Sequence, residues 1–182
     1  APDPGLGGRS INWPRGKVLG GSSSINGLLY VRGQPQDFDH WRQLGNTGWS
    51  FADVLPYFRR AENQERGADD FHGVSGPLAV SDMRVRREIC DAIIKAAGEL
   101  GIPERDDFNR DDQEGAGYFQ LTTRNGLRCS TAVGYLNPVK SRQNLDIRTH
   151  AQVRRRAPSD RRRFSCCRAS ARPSTLRTWV LP

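Results

Sequence analysis

The 182 residues carry a formal net charge of +8 and are 36% hydrophobic, enough to bury the core of one domain or a small pair. No apolar run approaches the ~20 residues of a membrane span, and Ala1 to Gly5 has neither the basic nor the apolar stretch of a secretory leader. Four cysteines (Cys90, Cys129, Cys166, Cys167) lack metal-ligand spacing, so free thiols in a reducing compartment are expected and disulfides are not.

The first stretch with chemical content runs from Asn12 to Gly33. A basic approach (Arg15, Lys17) leads into Gly20-Gly21-Ser22-Ser23-Ser24, and an apolar run with one amide, Asn26, follows. Glycines at 20 and 21 permit positive φ and put no Cβ in the way of a large, flat, polar ligand. The hydroxyls of Ser22 and Ser23 and the Asn26 amide offer hydrogen bonds where bulk would not fit. A Gly/Ser linker is the plainer reading of such a cluster. Against it, Val18-Leu19 and Leu28-Leu29-Tyr30-Val31 bound the cluster with apolar residues, as in a packed region.

Pro35 is expected to open a short helix carrying Phe38, Trp41 and Leu44, with Gly45 as its stop. A second helix starts at Ser50, where Ser50 and Asp53 form a capping box and Trp49 and Val54 a staple; Pro56 should kink or shorten it. Residues 63–75 read as an irregular loop and 77–80 as a short strand. The clearest helix spans about 84–100, with Ile89, Ile93, Ala96 and Leu100 as its apolar stripe, Gly101 as its end and Pro103 beyond. Residues 104–114 are polar and read as a loop. Asn125-Gly126 marks a hairpin between strands at 117–123 and near Arg128. Ser130 caps a helix to Leu136, and 144–149 alternates like a half-buried strand.

Residues 151–182 hold nine arginines and one acid, Asp160, so all the excess charge lies there and the first 150 residues are neutral. Periodicity stops at Arg154. Such a segment is expected to be disordered. Its Arg/Pro/Ser/Ala mixture fits out-of-frame translation of GC-rich coding DNA; a basic tail that binds nucleic acid or an anionic surface is the alternative. A non-functional gene remnant is a third reading.

Residues 16–26, with Tyr30, Gly33 and Asp39 at their spacings, resemble the first signature of the glucose–methanol–choline (GMC) flavoprotein oxidoreductases. Gly48-Trp49-Ser50, residues 53–58, Phe71-His72-Gly73, residues 75–78, Asp107-Phe108-Asn109, residues 113–115 and Tyr135-Leu136 extend the likeness to the choline and alcohol dehydrogenase branch, from about Gly5 to Val153.

The resemblance implies a mixed α/β chain: part of an FAD-binding domain, part of an antiparallel-sheet substrate domain and a C-terminal tail. Residues 1–34 would contact the flavin, 35–143 lie on the substrate side, 144–153 return as a strand to the FAD domain, and 154–182 form the tail. It also implies FAD, and oxidation of an alcohol CH–OH group in which a base takes the hydroxyl proton and hydride passes to flavin N5. Val18, Leu19, Gly20, Gly21, Ser22, Ser23, Asn26, Gly27, Leu28 and Leu29 would lie along the flavin and its ribityl–pyrophosphate, and Val153 against the adenine end. Some relatives bond FAD covalently through a histidine at the position of Ile25. Ile has no nucleophile, so non-covalent FAD is expected. The implied partners are a small alcohol and an electron acceptor, with no specific nucleic acid and no membrane span, in the cytoplasm or at a membrane surface.

Two parts of that chemistry have no counterpart in these residues. Gly5-Leu-Gly-Gly8 has the wrong spacing for the Gly-x-Gly-x-x-Gly that seats a pyrophosphate on a helix N-terminus. The family's C-terminal pair, a His with a second His or an Asn, and its second signature would lie beyond residue 182. His40 reads as solvated and His72 as loop-ordering, and His150 has no evident role. Asp69-Asp70 and Asp106-Asp107 show no sign of a paired acid–base site. No catalytic residue is assigned, and the chain is expected to be inactive alone.

Overall fold

The computed structural model describes residues 4–151 and the backbone of 153–156 and 167–169. Three α-helices and four two-stranded ladders organise the described residues. Helix α1 (Pro35–Gln43) starts with Pro35 at its first turn and is capped by Gln34 with Asp37 in a reciprocal box. Helix α2 (Phe51–Ala61) is capped by Ser50 and Asp53 in the same way. Pro56 sits inside α2 without shortening it.

Aromatic rings zip the two helices together. Phe38 packs on Trp41, Phe58 and Phe51 at centroid separations of 5.4, 5.6 and 6.2 Å, distances at which edge-on ring contacts add to burial. The Trp49 ring contacts Trp41 at 5.7 Å.

Strand β1 (Leu29–Tyr30) pairs antiparallel with β4 (Gln120–Leu121), and β2 (Glu62–Gln64) pairs parallel with β3 (Leu78–Val80). A bridge between Ser81 and Leu121 joins the two ladders, giving the order β2-β3-β4-β1. Residues 63 and 64, expected in a loop, are therefore strand: the polar side chains of Glu62 and Gln64 alternate inward into a polar interior instead of an apolar one. The Asn125-Gly126 hairpin is present, with β5 (Thr123–Arg124) against β6 (Leu127–Arg128). Both turn residues have positive φ, 52° and 77°, as a two-residue hairpin loop requires. A π-helical turn, wider than an α-helical one, follows at Ala132–Leu136, with the Gly134 N–H bonded to Ser130 O.

Helix α3 (Glu88–Glu99) is present with its expected stripe, and the stripe lies open: Ile89, Ile93 and Leu100 are 65%, 60% and 82% exposed. Amphipathic spacing shows that a helix has an apolar face, not that a partner covers it within the same chain. Residues 144–149 form turns and irregular chain instead of a strand. The alternation there is real, yet among the described residues no neighbouring edge pairs with it. Further on, β7 (Val153–Arg156) and β8 (Cys167–Ala169) pair antiparallel. The remainder of the expected disordered tail lies outside the described residues.

Replacing Ser50 by Ala removes the acceptor for the Asp53 N–H and should cost about 1 kcal/mol, read from urea unfolding. A cost near zero would show that the cap contributes nothing.

Candidate functional site

The Gly/Ser-rich loop turns through a short 3-10 segment, Gly21–Ser24. Gly20 precedes it at φ 88° and Gly21 opens it at φ 52°. A Cβ on Gly20 would meet Ser24 Oγ at 2.5 Å and Ala132 Cβ at 3.2 Å. The close approach at Gly20 is therefore to the protein behind the loop, whereas the sequence pointed to a ligand in front of it.

Residues 18–29 lie on one continuous stretch. Val18, Leu19, Ile25 and Leu29 are 57%, 49%, 49% and 54% exposed, an apolar face that the described residues leave uncovered. Ser22 Oγ accepts the Gly16 N–H. Ser23 is turned inward, its hydroxyl bonded to Gly20 O and accepting the Thr131 N–H. Asn26 Oδ1 accepts from the Leu28 N–H, which stabilises Leu28 at φ 68°, an unusual value for a residue with a side chain. Val153 begins β7, with its side chain outside the described residues. Such a surface, apolar side chains interleaved with backbone amides, suits a flat ring system with acceptors along its edge.

Behind the downstream end of the loop lies a buried chain of charges. Arg32 follows β1 and donates to Glu62 Oε2 at 2.7 Å and to Phe71 O at 2.8 Å. Its guanidinium also lies over the Phe58 ring at 5.2 Å. Glu62, at 0% exposure, also meets His72 Nδ1 at 3.0 Å and accepts the Gly73 N–H. His72 Nε2 lies 2.9 Å from Asp107 Oδ2, a close ion pair bent away from good hydrogen-bond alignment. Asn109 and Gln113 hold the backbone of Arg32: its N–H donates to Asn109 Oδ1 at 2.7 Å, and Gln113 Nε2 donates to its carbonyl at 2.7 Å.

Burial disfavours an imidazolium at His72, but contacts with Asp107 and Glu62 outweigh it and push the pKa from 6.5 up to about 9. Burial likewise disfavours the Asp107 carboxylate. The His72 contact, the Asn109 N–H and the nearby charge of Arg110 win, and hold its carboxyl below the usual range. His72 is thus a cation clamped between two carboxylates, a loop-ordering group as its sequence context suggested. His40 is exposed. Asp106 is exposed as well, 3.5 Å from Arg66, while its neighbour Asp107 is buried.

The profile of the GMC oxidoreductase family matches residues 5–181. The chain belongs to that family. The match continues past Val153, where the likeness was expected to end. An oxygen-dependent choline dehydrogenase of Brucella ovis is 48% identical over 146 residues, covering 80% of this chain and 27% of that protein. The pyridoxine 4-oxidase from Mesorbium loti superposes with a TM-score of 0.77 at 34% identity, over 82% of this chain and 30% of that one. An FAD-dependent oxidoreductase from Chaetomium thermophilum gives 0.76 at 28% identity, over 84% and 28%. This GMC chain therefore spans little more than a quarter of the choline dehydrogenase it matches.

Sequence reasoning missed the partners that organise the GMC loop: Arg32, Glu62 and Asp107 on one side, Arg128 and Thr131 on the other. The available signal was an excess of polar residues in segments bounded by strands. No helix among the described residues is long and apolar enough to cross a membrane.

Because the folded pKa of His72 exceeds its ordinary value, the stability it supplies is complete below about pH 6.5 and is lost as pH rises through about 9. Unfolding measured at pH 7 and pH 10 should differ by about 2–3 kcal/mol from this group. His72→Gln should remove that share of the slope; an unchanged slope would contradict the imidazolium.

Proposed function

We propose that this chain is the flavin-contacting and part of the substrate-side portion of an FAD-dependent oxidoreductase acting on CH–OH groups of alcohol donors, of the choline or alcohol dehydrogenase type. One observation carries the reading: the GMC loop presents an uncovered apolar face and unpartnered amides. Among the described residues, the N–H groups of Leu19 and Gly27 have no acceptor, and both residues are exposed on the loop's surface.

These residues fit the cofactor. Val18, Leu19, Leu28 and Leu29 would cover the ring system, and Gly27 would bring a backbone amide to its edge, on the far side of the tight turn that Gly20 and Gly21 make. The Ser22 hydroxyl and the Asn26 side-chain N–H groups remain able to donate, while Ser23 holds the loop from within. Val153 is assigned to the adenine end. Ile25 offers no nucleophile, which supports non-covalent FAD. When bound, FAD supplies the hydride acceptor for the alcohol carbon.

No base for the alcohol is assigned to this chain. His72 is enclosed and already protonated at neutral pH, so it cannot take a hydroxyl proton. That group is assigned to the length of the relatives that this chain does not span. On the same reading residues 1–34 serve the FAD domain, 35–143 the substrate side, 144–153 the return to the FAD domain and 154–182 the Arg-rich tail. A small alcohol is the substrate and a separate molecule the electron acceptor. The unpaired Cys90 and Cys129 support a reducing, cytoplasmic setting, in solution or at the membrane surface.

A chimera in which residues 5–150 replace the matching segment of a choline dehydrogenase should retain flavin absorbance and alcohol-dependent dye reduction, whereas this chain alone should bind FAD weakly or not at all and turn nothing over. A folded chimera without flavin would overturn the reading.

A further inference from the structure

The GMC loop owes its shape to residues about a hundred positions away. Arg128 Nη1 donates to Ser23 O at 3.0 Å and to Asn26 Oδ1 at 2.7 Å, and its Nη2 to Asn26 O at 2.8 Å. Thr131 Oγ1 donates to Gly20 O at 3.2 Å, while its own N–H donates to Ser23 Oγ at 2.9 Å. Thr122 completes the row, its N–H and hydroxyl both donating to Leu28 O. The carbonyls of residues 20, 23, 26 and 28 are therefore all taken by the segment 122–131, which the β5–β6 hairpin carries past the loop.

A peptide group fixed by its carbonyl has its N–H directed the opposite way, so the capture of the Asn26 and Gly20 carbonyls sets where the next amides, Gly27 and Gly21, can point. Gly21 N–H is used internally by Val18 O, and Gly27 N–H has no acceptor among the described residues. We infer that Arg128 and Thr131 are positioning residues for the cofactor: they hold the loop's oxygens inward and so leave an acceptor-seeking surface for the electron-rich edge of a flavin. This rests on the flavin reading of the loop. Neither residue need touch the ligand. Arg128 suits the task because one planar guanidinium serves three acceptors at once, which a lysine ammonium on the same stem cannot match in geometry.

The test uses the whole 182-residue chain with Arg128→Ala, Arg128→Lys and Thr131→Val, read by amide hydrogen exchange and by FAD titration of flavin fluorescence. Arg128→Ala should accelerate exchange across residues 18–28 about tenfold, with exchange in 62–64 and 78–80 unchanged. Arg128→Lys should fall between it and the unsubstituted chain, and Thr131→Val should act on the same residues. FAD affinity should weaken in the same order. Unchanged exchange in the loop would overturn the inference, as would a loosened loop that binds FAD as tightly as before. If Arg128→Ala loosens 62–64 as well, Thr131→Val decides: loop-limited acceleration supports the inference, and global loosening sinks it. Should the chain alone bind no FAD, the same substitutions are read in the choline dehydrogenase chimera, and a folded, unsubstituted chimera without flavin defeats the flavin reading; the exchange results still decide whether these residues shape the loop.

Discussion

Burying Glu62 at 0% exposure obliges the surrounding chain to bring it counter-charge, and much of the fold follows from how that is done. A carboxylate out of water is stable only with partners in good geometry. Arg32 comes from the segment that leaves the GMC loop, His72 from the crossover between β2 and β3, and Asp107 from the polar segment after α3. Three stretches distant in sequence thereby meet at one point. The two carboxylates and two cations balance, and Asn109 and Gln113 fix the Arg32 backbone that links them to β1. The apolar part of the interior is small by comparison, with Phe38, Ala79, Val80, Phe108 and Cys129 as its buried hydrophobic members.

The same logic explains why a loop rich in Gly and Ser is not a linker. A linker's backbone is solvated, whereas this one has its carbonyls bonded from behind by Thr122, Arg128 and Thr131 and its exit tied to the charge cluster. Binding surface and support are separated: the apolar side chains of Val18, Leu19 and Leu29 face away from the described residues, while the hydroxyl of Ser23 serves the protein. Preorganisation of this kind spares a ligand the entropy of ordering the loop.

Legibility from sequence was greatest where a signal is local. Ser50 with Asp53, Pro35 at a helix start and Asn125-Gly126 at a turn act within a few residues, and the structure has each in its expected place. It was poorest where the deciding partner is remote. Nothing near Glu62 shows that Arg32 will meet it, so residues 63 and 64 beside it read as loop. The stripe of α3 is legible as apolar, but periodicity carries no information on whether anything covers it. In the loop, the glycine at 20 was recognised as necessary, but its reason, contact with Ser24 and Ala132, depends on a residue more than a hundred positions on.

The most direct measurement is the unfolding free energy of Glu62→Ala, taken by urea titration at neutral pH beside the unsubstituted chain. Removing the carboxylate leaves Arg32 and the His72 imidazolium facing each other in a buried site. A loss of about 3–5 kcal/mol, or failure to fold, is expected. A loss under about 1 kcal/mol, the range of an exposed ion pair, would contradict it.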